Sequence, residues 1–112
     1  MRRLCFLDEL AEPGSRGFTL ELPDDGPFDH FLVRSAGQVW AYHNSCPHTG
    51  ATLEWLPHCF LDADGALIQC GLHGALFRID TGECLRGPCL GESLKSLQVM
   101  VRDGQVFLFG ES

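Results

Sequence analysis

The chain has 112 residues, 45% of them hydrophobic and 21% charged, the size and balance of one ordinary globular domain with a modest core. A net charge of −7 leaves no basic stripe to meet phosphates, which argues against nucleic-acid binding. No run approaches the ~18 consecutive apolar residues of a membrane span.

Met1-Arg2-Arg3 followed by Leu4-Cys5-Phe6-Leu7 begins like a signal peptide, but Asp8 and Glu9 cut the apolar stretch short of a signal h-region. The chain is therefore expected to be soluble and cytoplasmic, with no membrane anchor. Strands are predicted at Leu4 to Leu7, Gly17 to Leu22, His30 to Ser35 and Val39 to Asn44. Later ones are predicted at Leu67 to Cys70, Ala75 to Asp80, Leu97 to Arg102 and Val106 to Gly110. Turn signals fall between them at Ser35-Ala36-Gly37, Asp64-Gly65 and Thr81-Gly82, and Arg102-Asp103-Gly104-Gln105 reads as a tight hairpin. No amphipathic helix longer than two turns is present. The predicted fold is all-β, a small antiparallel sandwich or open barrel.

Two short runs carry the chemistry. Cys46-Pro47-His48-Thr49-Gly50 and Cys70-Gly71-Leu72-His73-Gly74 each offer one thiolate and one imidazole. Between His48 and Cys70 lie 21 residues. Cys-x-His and Cys-x-x-His each fit one tight turn, and two facing turns can clamp a flat two-iron rhomb. Two Cys with two His are too few thiolates for an ordinary ferredoxin cluster, and are the ligand set of a Rieske [2Fe–2S] centre. Structural zinc also accepts Cys2His2, although its ligand pairs are usually like with like, as CxxC and HxxxH. Gly50 and Gly74 follow each His where the loop must turn sharply and a Cβ would be in the way.

The double signal, with Ala75-Leu76-Phe77 after the second run, resembles the Rieske proteins from roughly Tyr42 to Leu94. The resemblance implies that Cys46 and Cys70 bind the inner iron of one [2Fe–2S] cluster and His48 and His73 the outer. It also implies one domain over 1–112, with a cluster-binding lobe of about 44–90 inserted into a β base of about 1–43 and 91–112. Gly87-Pro88-Cys89-Leu90 resembles the proline loop that covers such clusters, with Leu90 where a second proline is usual. The disulfide of high-potential members is absent, because the matching positions are Ala51 and Leu72. Cys5, Cys59, Cys84 and Cys89 are expected to be free thiols, as is usual in the cytosol, although Cys84 and Cys89 are close in sequence and could pair if their loop allowed it.

Potential follows from the side chains next to the ligands. High-potential members place Ser and Tyr where this chain has Ala75 and Phe77, and those hydroxyls favour the reduced cluster. Two missing donors lower the potential by on the order of 100–250 mV as an upper bound. Alternatively, the two residues are simply core.

The implied function is a soluble, low-potential electron carrier that takes single electrons from a reductase and gives them to an oxygenase or other redox enzyme. Docking would be weak and transient, around Thr49, Leu72, Pro88 and Leu90. The acidic surface suits a partner with a basic face, or serves solubility alone. The chain is not expected to be an enzyme: His30, His43 and His58 are too scattered for the 2-His-1-carboxylate iron of an oxygenase. Three readings stay open beside it: a small Rieske subunit of a larger reductase, a redox or iron sensor, and a structural zinc protein. The connection from Glu54 to Ala66 is longer than such ferredoxins usually carry, and is expected to pack as an extra covering loop or to recognise a partner.

Overall fold

The computed structural model describes residues 2–22, 26–47, 52–54, 56, 58–71 and 74–111. Its strands are β1 (Arg2–Phe6), β2 (Gly14–Leu22), β3 (Gly26–Ser35), β4 (Gln38–His43), β5 (Leu67–Gln69), β6 (Leu76–Arg78), β7 (Cys84–Arg86), β8 (Ser96–Arg102) and β9 (Gln105–Glu111). A single 3-10 turn, Leu7–Glu9, is the helical element among the described residues. The strands form a six-stranded sheet in the order β1-β9-β8-β4-β3-β2 and a three-stranded sheet in the order β5-β6-β7, with antiparallel pairing throughout. The all-β expectation holds.

Every predicted strand has a counterpart, but β2 and β3 start earlier than expected. Gly14 pairs with Arg34 and Leu22 with Gly26, so the hairpin runs on through Gly, Pro and Asp positions that read as turn. Strand β7 was not predicted. Its Cys84-Leu85-Arg86 is too short, and too close to Gly82 and Gly87-Pro88, to show a period. The predicted hairpin at Arg102 to Gln105 is present: Asp103 and Gly104 both take positive φ, 52° and 71°, as a two-residue turn between twisted strands requires.

Strand β3 reads His30-Phe31-Leu32-Val33 without polar alternation, which suits a strand covered on both faces. It is covered on both. Leu32, with Ala41, Leu97, Val106, Cys5 and Leu10, fills one core. Phe31 and Val33, with Tyr42, turn the opposite way into a second core shared with the small sheet through Ile68, Phe77 and Cys84. Phe31 stacks on Phe60 with ring centres 4.3 Å apart and planes 6° from parallel. At the N-terminus, the half-buried Arg34 guanidinium donates to the Leu7 and Leu10 carbonyls at 3.3 and 3.0 Å and fastens the 3-10 turn to β3.

Tyr42 joins the two sheets. Its hydroxyl, fully buried, donates to the Ile79 carbonyl at 2.6 Å. Burial, and then the Asp80 carboxylate, push its pKa up to about 12. Tyr42→Phe should cost about 1–3 kcal/mol, because the Ile79 carbonyl is left buried without its donor. Above about pH 10 the unfolded tyrosine ionises while the folded one keeps its proton, so wild-type stability falls as pH rises. The wild-type advantage over Tyr42→Phe is full below about pH 10 and shrinks by about 2–3 kcal/mol by pH 12. Urea denaturation of both proteins across that range measures this. Tyrosinate absorbance of the chain's one tyrosine reads the titration directly.

Candidate functional site

The first Cys-x-His run leaves β4 through Asn44, which a strand-to-turn exit favours because its amide can bond to nearby backbone. The Asn44 N–H donates to the Asp29 carbonyl at 3.0 Å, continuing the β3–β4 ladder by one residue. Its side chain spans the turn. Oδ1 accepts the Leu53 N–H at 2.7 Å, and Nδ2 donates to Glu54 Oε2 at 2.6 Å. One buried amide thus ties the entry of the 44–54 segment to its exit. Within it Cys46 is buried, while His48, Thr49, Gly50 and Ala51 lie outside the described residues.

The second run joins β5 to β6. The Cys70 N–H donates to the Ala75 carbonyl at 2.8 Å and the Gly74 N–H to the Cys70 carbonyl at 2.9 Å, closing a tight turn. Gly74 has φ +66°, and no described atom lies within 4 Å of where its Cβ would stand. The sharp turn expected from the sequence is there, and its positive φ calls for glycine. Cys70 is fully buried; Leu72 and His73 lie outside the described residues.

Leu53 couples the two turns. Its N–H is held by Asn44, and its carbonyl accepts the Gly71 N–H at 2.8 Å. Cys46 and Cys70 consequently belong to one buried cluster with Leu53, Ala75, Phe77, Cys84 and Cys89. Ala75 and Phe77 are both fully buried, so they are core residues and also bring no hydroxyl to the site. The 87–91 turn rests on this wall: Gly87, with φ +111°, is so near Ala75 that a Cβ would come within 2.9 Å of its Cα. Cys89 lies beneath, its thiol pushed up to about 12 by burial, then by the neighbouring Cys84 and by Cys46. Pro88 and Leu90 of the same turn are exposed, Leu90 at 67%.

Cys46 and Cys70 are thus both buried, each at the start of one of two coupled turns, and share one apolar cluster. Buried thiols in such water-excluding surroundings suit the sulfur half of a two-iron centre. Among the described residues, which leave out His48 and His73, no group of three or more His, Cys, Asp and Glu gathers as a metal site. His58, beside Cys59, is a structural acceptor: its Nδ1 takes the Gly17 N–H at 3.1 Å, and its carbonyl takes the Ser15 hydroxyl at 2.8 Å. The described part of the 54–66 connection packs, with Phe60 and Leu61 buried and Leu61 bridged to Ile68; Trp55 and Pro57 lie outside the described residues. An open cavity of about 580 Å³ beside it is lined by Asp29, Asn44, Glu54, Leu56 and His58. Asn44 and Leu53 were not singled out from sequence. An Asn directly after a strand and before a Cys-x-His turn was the available signal.

A family model described as the Rieske [2Fe-2S] domain matches residues 5–103. The chain is 30% identical over 105 residues to the 3-phenylpropionate/cinnamic acid dioxygenase ferredoxin subunit of Photorhabdus laumondii, covering 94% of this chain and 90% of that one. The ferredoxin of carbazole 1,9a-dioxygenase from Nocardioides aromaticivorans superposes with a TM-score of 0.76 at 26% identity, over 97% and 96% of the two chains. A chain in a complex of reduced oxygenase and oxidized ferredoxin in carbazole 1,9a-dioxygenase superposes at 0.74, with 26% identity over 97% and 92%. Among the described residues no helix is long and apolar enough to cross a membrane.

Asn44→Ala should cost about 1–3 kcal/mol, since the buried Leu53 N–H loses its acceptor. The midpoint of urea denaturation measures this. A loss under about 0.5 kcal/mol, the scale of a neutral surface change, would remove Asn44 from its place as the clasp of the first turn.

Proposed function

Because the chain belongs to the Rieske [2Fe-2S] domain family, with the match running over residues 5–103, we propose that it is a ferredoxin-type carrier handing single electrons from a reductase to a terminal oxygenase. The relative from Photorhabdus is a dioxygenase ferredoxin subunit, and one similar structure holds a ferredoxin together with its oxygenase. The observation that carries the reading is the burial of Cys46 and Cys70 in one cluster, each at the start of a turn that continues in sequence to a histidine.

When bound, the family's single [2Fe–2S] cluster supplies reversible uptake of one electron. We assign Cys46 and Cys70 to one iron and His48 and His73 to the other, within one domain over 1–112. Its lobe of about 44–90 would carry the site on a β base of about 1–43 and 91–112. Around the site, Leu53, Ala75, Phe77 and Cys89 exclude water, and the exposed Pro88 and Leu90 offer apolar contact to a docking partner. The protein holds no catalytic residue in this reading, and chemistry on the substrate belongs to the oxygenase. We place it in the cytoplasm, where free thiols such as Cys5, Cys59, Cys84 and Cys89 are the rule.

Protein purified without added metal should be red-brown, hold two irons, and give on dithionite reduction a rhombic EPR signal of unusually low average g. Cys46→Ser, Cys70→Ser, His48→Ala and His73→Ala should each lose that signal. A colourless, EPR-silent protein with one zinc would replace the carrier by a structural metal site. Potential gives a second test. Adding hydroxyls beside the ligands with Ala75→Ser and Phe77→Tyr should raise the midpoint potential, by up to about 250 mV. An unchanged potential in the double variant refutes the assignment of these two positions.

A further inference from the structure

Cys84 and Cys89 have no part in the proposed ligand set, yet their sulfur atoms stand 2.9 Å apart in the core behind Ala75. A covalent S–S bond spans about 2.05 Å, so a movement of less than ~1 Å separates contact from bond. The backbone holds them in this relation through one residue. The Glu92 carbonyl accepts the Cys84 N–H at 2.9 Å, and the Glu92 N–H donates to the Cys89 carbonyl at 2.9 Å. The Glu83–Ser93 bridge closes the base of the loop, and the Leu90 N–H to Gly87 carbonyl contact of 3.2 Å closes its tip. The other cysteines outside the ligand set are elsewhere: Cys5 lies in the opposite core, and Cys59 in the 54–66 connection.

We infer that Cys84 and Cys89 form a site of reversible oxidative modification, a dithiol that hydrogen peroxide converts to a disulfide across the turn packed on Ala75. In the first step, once the turn has opened and the burial that holds the proton is relieved, one sulfur attacks peroxide as the thiolate. The O–O bond breaks, and a sulfenic acid and hydroxide result, the hydroxide leaving as water with the proton the thiol gave up. In the second, the neighbouring thiol attacks the sulfenic sulfur, the S–O bond breaks, the S–S bond forms and a second water leaves. The two sulfurs together give up two electrons, and both peroxide oxygens end as water. Reduction by an external dithiol reverses the change, the reductant ending as its own disulfide. Both sulfurs are covered, but Leu85 to Pro88 and Leu90 to Ser93 are exposed, so local opening of a short surface turn admits an oxidant the size of water. Nothing in this step requires the carrier reading.

Trypsin provides the test, because cleavage after Arg86 puts Cys84 in the 79–86 peptide and Cys89 in the 87–95 peptide. The purified holoprotein is treated with hydrogen peroxide, quenched with catalase, denatured in iodoacetamide, digested and mapped by mass spectrometry. The expected result is loss of both alkylated peptides and appearance of the linked pair, restored by dithiothreitol and missing in Cys84→Ser and Cys89→Ser. Recovery of Cys84 and Cys89 as alkylated thiols while Cys59 is oxidised would overturn the inference. Bonds from either residue to Cys46 or Cys70 would overturn it too, since they would come from metal loss. If the serine variants fail to fold, the wild-type map decides by itself.

Discussion

Two hydrogen bonds at Leu53 hold the site in register. Its N–H is taken by Asn44, which follows β4, and its carbonyl accepts from Gly71, which follows β5, so a single residue is gripped from both runs. Leu53 is fully buried, so each bond is made where water cannot substitute, and breaking either leaves a polar group stranded at a cost of about 1–3 kcal/mol. Everything that concerns the two cysteines depends on this grip. Cys46 is two residues from Asn44, and Cys70 is next to Gly71, so the positions of both sulfurs are tied to the same residue.

That grip is anchored by a sheet with two buried faces. Strands β3 and β4 send alternate side chains into separate cores, Leu32 and Ala41 one way, Phe31, Val33 and Tyr42 the other. The small sheet has three-residue strands and would be marginal alone. It is held by the aromatic stack of Phe31 on Phe60 and by the Tyr42 hydroxyl on Ile79. The turn bearing Cys70 thus borrows rigidity from β3 and β4, far off in sequence, and places a thiol in surroundings from which solvent is excluded. Low local polarity of this kind is one of the means by which a protein sets the behaviour of a metal bound to it.

Much of this was legible beforehand, and the part that was not has a common cause. Cys-x-His and Cys-x-x-His are local patterns, and so are the alternating strands and the Asp103-Gly104 hairpin; each is decided within a few residues of itself. The grip of Asn44 on Leu53 joins positions nine apart across a turn whose path a sequence does not state. Strand β7 exists because β6 offers it an edge and Glu83 bridges to Ser93, not because Cys84-Leu85-Arg86 favours extension. The meeting of Cys84 with Cys89 is of the same kind: proximity in sequence suggested that the loop must decide, and the loop is decided by Glu92. Gly74 belongs with the legible part, since a sharp turn just after the second run calls for positive φ, and positive φ selects glycine.

One contact has a meaning beyond the site. The large sheet ends on β2, a nine-residue strand whose outer side is an edge. An edge of that length, with its backbone donors and acceptors bare, is a template on which a second chain can add a strand. Here the Gly17 N–H is already occupied by the His58 imidazole, and the Ser15 hydroxyl is engaged with the His58 carbonyl and the Phe60 N–H. The 54–66 connection thereby acts as a guard rail against edge-to-edge aggregation. A protein that works by diffusing between partners gains from this directly, because self-association would take it out of circulation.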